Sequence, residues 1–450
     1  MIFALLASAA LFSAISAGAE SGSLEIGAGA SVITPFLDEP MAGYYYPRSA
    51  EGVHDDLHSR ALIIGHGSSR IVLVATSTVS VSREAVADAR QRIHQQLGIS
   101  PDRVLISATH SHTGPVLTPQ YVKDLGPRIA DSVKTASKRL TPARLYVATE
   151  DEPSLPHYRR YFMKDGAVVT NPGFLNPDVI KPAGAIDPRV GVLYVESASG
   201  SPLATWVNYA MHLDTVGGAL ISEDYPHFLA RTLARLKGPD MMTIFTIGAA
   251  GNINHWDVRR AGPQRGFDEA RRLGEVLAAA TLKAYTHLEP VQPSVPRAAS
   301  TRVRFARPKL SPQEIEAAQK IMAQPPPPNV DFTLERVNAA KIVATAKASS
   351  ADIETELQVL AVGPVAFVGI PGELFVELGR EIRRQSPFPH TFIVELANDS
   401  IGYIPTREAF AQGSYEPTSA RMVPGSGELL VEKAVELLKR VGAGEKSRPL

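Results

Sequence analysis

The sequence predicts an α/β protein built on a mainly parallel or mixed central sheet flanked by helices. Three observations predict it. Short β-branched and apolar runs alternate with segments of helical spacing. The strand-like runs end repeatedly in glycine, proline or histidine. The composition, 44% hydrophobic and 20% charged over 450 residues, is that of an ordinary globular chain with material for a large core. A strand–helix–strand rhythm is typical of βαβ units, and in such sheets ligands gather beyond the C-terminal ends of the strands.

Taken in order, the apolar run from Ile2 to Ile15 leads to Ala17-Gly18-Ala19. A short apolar stretch ending in small-x-small reads as a signal peptide over residues 1–19, so the protein is expected to be exported, periplasmic or secreted, after cleavage near Ala19. No Lys or Arg precedes that run. The remaining chain, 24–442, reads as one large domain, with a polar tail over 443–450. Leu24 to Ile33 reads as a strand and leads into the loop Pro40-Met-Ala-Gly-Tyr44-Tyr-Tyr-Pro47, whose tyrosines suit the lining or cover of a pocket. Arg60 to Ile64 and Arg70 to Thr76 are buried-strand runs, and Arg83 to Leu97 is a helix stopped by Gly98. The strand Val104 to Ala108 runs into Thr109-His110-Ser111-His112-Thr113-Gly114-Pro115.

Further on, Leu203 to Tyr209, Met242 to Ile247, Glu354 to Ala361, Val365 to Ile370 and Thr391 to Leu396 read as strands. Tyr225 to Leu236, Phe267 to Ala284, Gly372 to Gln385 and Gly427 to Val441 read as helices. Between Pro308 and Ser349 two helical segments, Ser311 to Met322 and Thr333 to Lys347, flank the breaker Pro325 to Pro328. This stretch (308–349) reads as a helical insertion in the main domain.

The formal charge is zero and no basic block stands out, which excludes the clustered positive footprint that nucleic acid requires. There is no cysteine. Any transition metal must therefore be bound by imidazole, carboxylate, phenol or amide oxygen. No Gly-x-Ser-x-Gly elbow and no His-Glu-x-x-His is present, so neither an α/β-hydrolase serine nor a zincin site is indicated.

On an extended chain His110 and His112 would point to one face, able to reach one ion or one water. His212 and His255 each follow a predicted strand and could reach the same rim. Glu373, in Ile370-Pro-Gly-Glu373, stands at the expected start of a helix, where a carboxylate also simply favours the helix dipole. Tyr403 lies in the polar turn Asn398-Asp-Ser-Ile-Gly-Tyr403.

Together these motifs resemble the neutral/alkaline, non-lysosomal ceramidase family in its catalytic N-terminal domain. Thr109-His-Ser-His112-Thr-Gly-Pro115 is similar to the family's Thr-His-Thr-His-Ser-Gly-Pro signature. Asn208-Tyr-Ala-Met-His212, Gly369-Ile-Pro-Gly-Glu373 and Ala397-Asn-Asp-Ser-Ile-Gly-Tyr403 resemble its later segments in the same order. The resemblance implies Zn2+ held by His110, His212, Glu373 and Tyr403. It places His112 beside the metal, and it implies substrate-facing roles for Arg159, with Arg160 as its neighbour and alternative, and for Tyr415. The implied activity is hydrolysis of an N-acyl amide bond by zinc-activated water, on a small-molecule or lipid amide, with peripheral membrane contact for substrate access.

Alternatives are an amidase or esterase for another acyl compound, a non-catalytic exported zinc-binding protein, and a structural metal site closed to water. Two departures stand out. The family's serine segment is here Gly251-Asn-Ile-Asn254-His-Trp256, so Asn254 replaces the serine, and no C-terminal immunoglobulin-like domain is expected after residue 442.

Overall fold

A computed structural model describes residues 23–325, 333–348, 350 and 352–444. The expected signal peptide, most of the proline breaker and nearly all of the polar tail lie outside the described residues.

The first sheet is formed by β1 (Leu24–Val32), β2 (His58–His66), β3 (Ser69–Thr76), β4 (Val104–Ala108), β5 (Thr141–Asp151), β6 (Arg189–Ser197), β7 (Pro202–Tyr209) and β8 (Met242–Ile247). Their spatial order is β8-β7-β6-β5-β1-β2-β3-β4, with Glu289–Val291 added beside β5. Only β3–β4 and β7–β8 pair in parallel; the other neighbours along this path are antiparallel. The sheet is therefore mixed, and the mainly parallel alternative does not hold. Tight returns such as Gly67-Ser68 between β2 and β3 permit antiparallel pairing without a crossover helix. A second sheet runs β9 (Arg297–Ala306), β10 (Asp352–Val362), β11 (Val365–Gly369) and β12 (His390–Val394), with only β11–β12 parallel.

The two sheets pack face to face. Between them lie Leu62, Ile64, Leu73, Leu105 and Trp206 from the first and Leu360, Val362, Phe367 and Val394 from the second, all buried. Strands covered on both faces, such as β3, β4, β8 and β11, read as continuous apolar runs, whereas β5 and β9 keep an alternation of buried and exposed positions. Helices α1 (Arg83–Leu97) and α2 (Pro119–Ser137) cover one half of the outer face of the first sheet, and α3 (Tyr225–Lys237) and α4 (Phe267–Ala284) cover the other half. Helices α7 (Val376–Gln385) and α10 (Ser426–Gly442) cover the second sheet. The result is a four-layer α/β/β/α stack.

Local chemistry explains the boundaries. Ser82 caps α1 by accepting from the Ala85 N–H, and Gly98 ends it at φ 70°. Helix α2 has no forecast because Pro127 interrupts its sequence, yet Thr118 caps it and packing carries it through. It lies so close to β1 that a Cβ on Gly29 would sit 2.2 Å from the Ala136 nitrogen. The insertion consists of α5 (Pro312–Ala323) and α6 (Leu334–Ala346), the first opened by a Ser311–Glu314 capping box. Helix α6 contacts α9 (Tyr415–Ser419), which follows α8 (Arg407–Gln412).

One seam joins the sheets near the site. Ser107 of β4 bridges Ala397, the Asn398 N–H donates to the Ile106 carbonyl, and the Glu395 N–H donates to the Ile247 carbonyl of β8.

Candidate metal centre

The first sheet delivers three histidines. Beyond β4 the chain does not stay extended: His110 has φ 78°, and its N–H donates to the Thr78 carbonyl. The forecast of two side chains on one face of a strand is therefore replaced by a turn. The outcome is still convergence, with His110 Nε2 and His112 Nε2 3.3 Å apart. Ser111 and Thr113, between and after them, both donate to the Ser222 carbonyl and hold the turn in place. His212 follows β7, and its N–H donates to the Ile253 carbonyl.

Glu373 is not in the first turn of a helix. It pairs in parallel with Tyr403, in a two-residue strand whose other rung is Leu374–Ile404, and α7 begins only at Val376. The helix-dipole explanation for this carboxylate thus fails. Directly opposed residues of paired strands face the same side, and both Glu373 and Tyr403 line one cavity with His110 and His112.

Glu373 Oε2 lies 3.4 Å from His110 Nε2 and 3.4 Å from His212 Nε2. The other ring nitrogens are occupied: His110 Nδ1 donates to the Val79 carbonyl at 2.7 Å, and His212 Nδ1 to the Ala250 carbonyl at 2.8 Å. Each Nε2 lone pair is thereby turned toward the carboxylate, the arrangement that orients metal-bound imidazoles. His212 Nε2 and Glu373 Oε2 are buried with no hydrogen-bond partner, which is costly unless something else satisfies them. Donors on a tetrahedral ion at bond lengths of about 2.0–2.1 Å stand about 3.3–3.4 Å apart. The chain's residues therefore fit one small divalent cation.

His110, His112 and His212 also form a group of their own, each offering a ring nitrogen within 4.8 Å of the others. The carboxylate-centred set is the better ligand set, because no hydrogen bond among the described residues fixes His112 Nδ1. A second group, His54, Asp55 and His227, does not line this cavity.

Electrostatics agree with the placement. Burial works against ionisation of Glu373, and His110 and His212 override it, holding the carboxyl well below the usual range. Burial, then the neighbouring His110, keeps His112 well below the ordinary imidazole value, with Asp214 a partial offset. Burial and the Glu373 charge push the Tyr403 phenol up, and Arg159 opposes them.

Arg159 and Arg160 have different surroundings. Arg159 donates to Glu416 Oε1 at 2.8 Å and to the Gly251 carbonyl at 2.7 Å, and its guanidinium carbon lies 5.4 Å from the Tyr403 ring centroid. Arg160 is fully buried and engaged by Gly413, Gln412 and Glu416 Oε2. The Tyr415 and Tyr45 hydroxyls are 2.9 Å apart at the cavity, and the Tyr403 and Tyr415 ring centroids are 5.5 Å apart. His255 is not brought to the ion position: it faces Asp214 at 3.2 Å and donates to the Gln264 carbonyl. Asn254 is buried against Asn171 and Trp256 and does not line the cavity.

Several contributors escape the sequence reading. Gly43 passes so close to His112 that a Cβ there would lie 2.5 Å from its carbonyl oxygen. Tyr44, by contrast, lies in the loop whose tyrosines were expected to line or cover a pocket, and it sets its ring edge-on to His112. Asp214 and Glu395 brace the surrounding loops, the latter accepting from the Ala250 N–H. One wall is α6, through Val337, Ala340, Lys341 and Ala344. Their spacing of i, i+3, i+4 and i+7 puts them on one helical face, but α6 has almost no amphipathic bias to mark that face in the sequence.

No protein-family model matches the chain. Over 266 residues it is 26% identical to neutral ceramidase A of Dictyostelium discoideum, covering 53% of this chain and 36% of that protein. Neutral ceramidase B of the same organism is 26% identical over 226 residues, 45% of this chain and 30% of that protein. The matched segment thus spans about a third of the length of these curated relatives. Among solved structures, neutral ceramidase from Pseudomonas aeruginosa superposes with a TM-score of 0.77 at 20% identity, covering 95% of this chain and 76% of that one. A ceramidase complexed with C2 gives 0.74 at 18% identity, with the same coverages. The neutral-ceramidase resemblance carried by the motifs is borne out, and the fold is shared.

Proposed function

From that family likeness and the geometry of the centre, we propose that the protein is a zinc-dependent hydrolase of N-acyl amide bonds. The observation that carries the reading is the single oxygen, Glu373 Oε2, placed 3.4 Å from two imidazole nitrogens whose far sides are already hydrogen-bonded. His110, His212, Glu373 and Tyr403 hold the ion. Zinc, when bound, polarises a carbonyl and brings the pKa of a coordinated water to about 7.

Amide hydrolysis adds water across the C–N bond: the acyl carbon gains an oxygen, and the nitrogen leaves with an added proton. His112 is neutral at pH 7 because burial and His110 disfavour its cationic form. Its Nε2 can therefore accept the proton released by water and return it to the departing nitrogen. Arg159 is held against Tyr403 by Glu416 and the Gly251 carbonyl, and it supplies fixed positive charge on the side of the developing oxyanion. Tyr415, braced by Tyr45, positions the substrate carbonyl. Asn254 does not weaken this scheme, because it hydrogen-bonds away from the cavity.

The protein is also read as exported after cleavage near Ala19, which N-terminal sequencing of the mature chain tests. No described helix is long and apolar enough to cross a membrane.

The test of function pairs metal analysis with hydrolysis of a fluorescent N-acyl sphingosine and a short soluble amide, with and without chelator. The expected result is one zinc per chain lost in H110A and retained in H54A, and amide cleavage abolished by chelation. Full chelator-resistant activity would sink the proposal.

A further inference from the structure

The cavity above the centre has a volume of about 430 Å³ and a charge balance that a neutral lipid amide does not use. Its acids are spent: Glu373 faces two histidines, and Glu416 behind Arg159 is shared by two guanidinium groups. Its cations are not. Lys341 points from α6 into the cavity wall between the apolar positions Val337, Ala340 and Ala344. It is half-buried and makes no ion pair or hydrogen bond among the described residues, and burial alone lowers its pKa. Arg421 lines the same cavity. Its Nε lies 3.7 Å from where a Cβ on Gly402 would stand, one residue before Tyr403, and it too has no ion-pair partner among the described residues. Arg307, another cation, is close enough to Arg421 for the two charges to repel.

Partly dehydrating an ammonium group without a counter-charge is unfavourable, and an anionic ligand group removes that cost. A pocket that joins an apolar stripe to unpaired cations selects a molecule with an acyl chain and a negative charge. Ceramide has no such charge.

We propose that Lys341 and Arg421 form an anion-reading subsite, and that the substrate is an acyl amide carrying a carboxylate near its scissile bond, an N-acyl amino acid. The acyl chain lies along Val337, Ala340 and Ala344. This rests on the amide-hydrolase reading above and narrows its substrate class.

The experiment uses the full-length, zinc-loaded protein with three matched compounds: N-dodecanoylglycine, its methyl ester and N-dodecanoyltaurine. Cleavage of the amide is followed by amine release, and binding by calorimetry. We expect kcat/KM and affinity for N-dodecanoylglycine to exceed those for the methyl ester by at least tenfold. In K341Q and in R421Q that ratio falls several-fold toward one, K341R restores part of it, and K341E brings it below one. Comparable preference for the taurine conjugate would assign the subsite to anions in general, which overturns the carboxylate assignment. A preference for the glycine conjugate that K341Q and R421Q leave intact would trace it to the ion and overturn the subsite. Equal binding of acid and ester does the same. If no amide is cleaved, the functional reading fails, while the calorimetric comparison still decides the subsite.

Discussion

Replacing Glu416 by alanine should destabilise the protein by about 3–5 kcal/mol, the usual cost of stranding buried charges by removing their partner. Glu416 is fully buried. Its Oε1 accepts from Arg159 at 2.8 Å, and its Oε2 accepts from Arg160 at 3.0 Å and from the Thr170 hydroxyl at 2.8 Å. Neither guanidinium pairs with another carboxylate among the described residues, and both are almost without exposure. A melting entropy of about 2.1 cal/mol/K per residue over 450 residues gives about 0.9 kcal/mol per kelvin, so the melting temperature should fall by about 3–6 °C. Calorimetric melting of E416A beside the parent measures this, and E416Q, which keeps the shape but not the charge, should fall between them. Arg159 also loses the group that holds it against Tyr403, so turnover of any cleaved amide should drop more than tenfold while zinc content is kept. A melting temperature within about 1 °C of the parent would refute the claim that this carboxylate is the anchor of the arginine pair.

Three further outcomes follow from other parts of the molecule. His212→Ala should lower zinc affinity by at least a hundredfold and remove the stabilisation that saturating ion confers, about 2.7 kcal/mol at a hundredfold excess over Kd, or about 3 °C by the same conversion; undiminished zinc content measured by mass spectrometry would contradict the ligand assignment. Gly43→Ala forces a side chain onto His112 at a backbone angle of φ +97°, so it should cost about 1–3 kcal/mol and reduce turnover with the ion retained; a variant of parental stability and rate would show that the loop yields freely. Glu223 has a carboxyl held far below the usual range: burial opposes ionisation, and Arg60 together with His58 overrides it. Its folded pKa is depressed, so its contribution is complete above about pH 4–5, the unfolded carboxylate range, and is lost as pH falls toward the folded value. E223Q should be less stable than the parent at pH 6, with the gap closing steadily toward pH 3, and a pH-independent gap would count against the ion pair.

What the sequence showed depended on how local each signal was. Helix α1 between Ser82 and Gly98, strand β4, strand β8 and helix α4 carry their start and stop chemistry within a few residues, and they form where they were expected. Strand direction is not local. Buried parallel and buried antiparallel strands share the same β-branched runs, so the division into two packed sheets left no mark on any one run. The same holds for the site. His110 and His112 were visible as a pair, but the positive φ at His110 is set by Thr78 and Ser222, which are remote in sequence. Glu373 looked like a helix start because Tyr403, thirty positions on, is what turns it into a strand. Lys341 was hidden among the alanines of α6, since nothing in those residues says which face meets a cavity.

The seam between β4 and the Glu395–Asn398 segment has a further consequence. His110 and His212 leave one sheet, whereas Glu373 and Tyr403 belong to the other half of the chain. Neither half holds all four proposed donors, so on the proposed ligand set tight capture of a cation should wait until the two layers have closed on each other. Zinc uptake during refolding can therefore serve as a clock for that closure, lagging behind the recovery of helix and strand signals and coinciding with burial of Trp206 between the sheets.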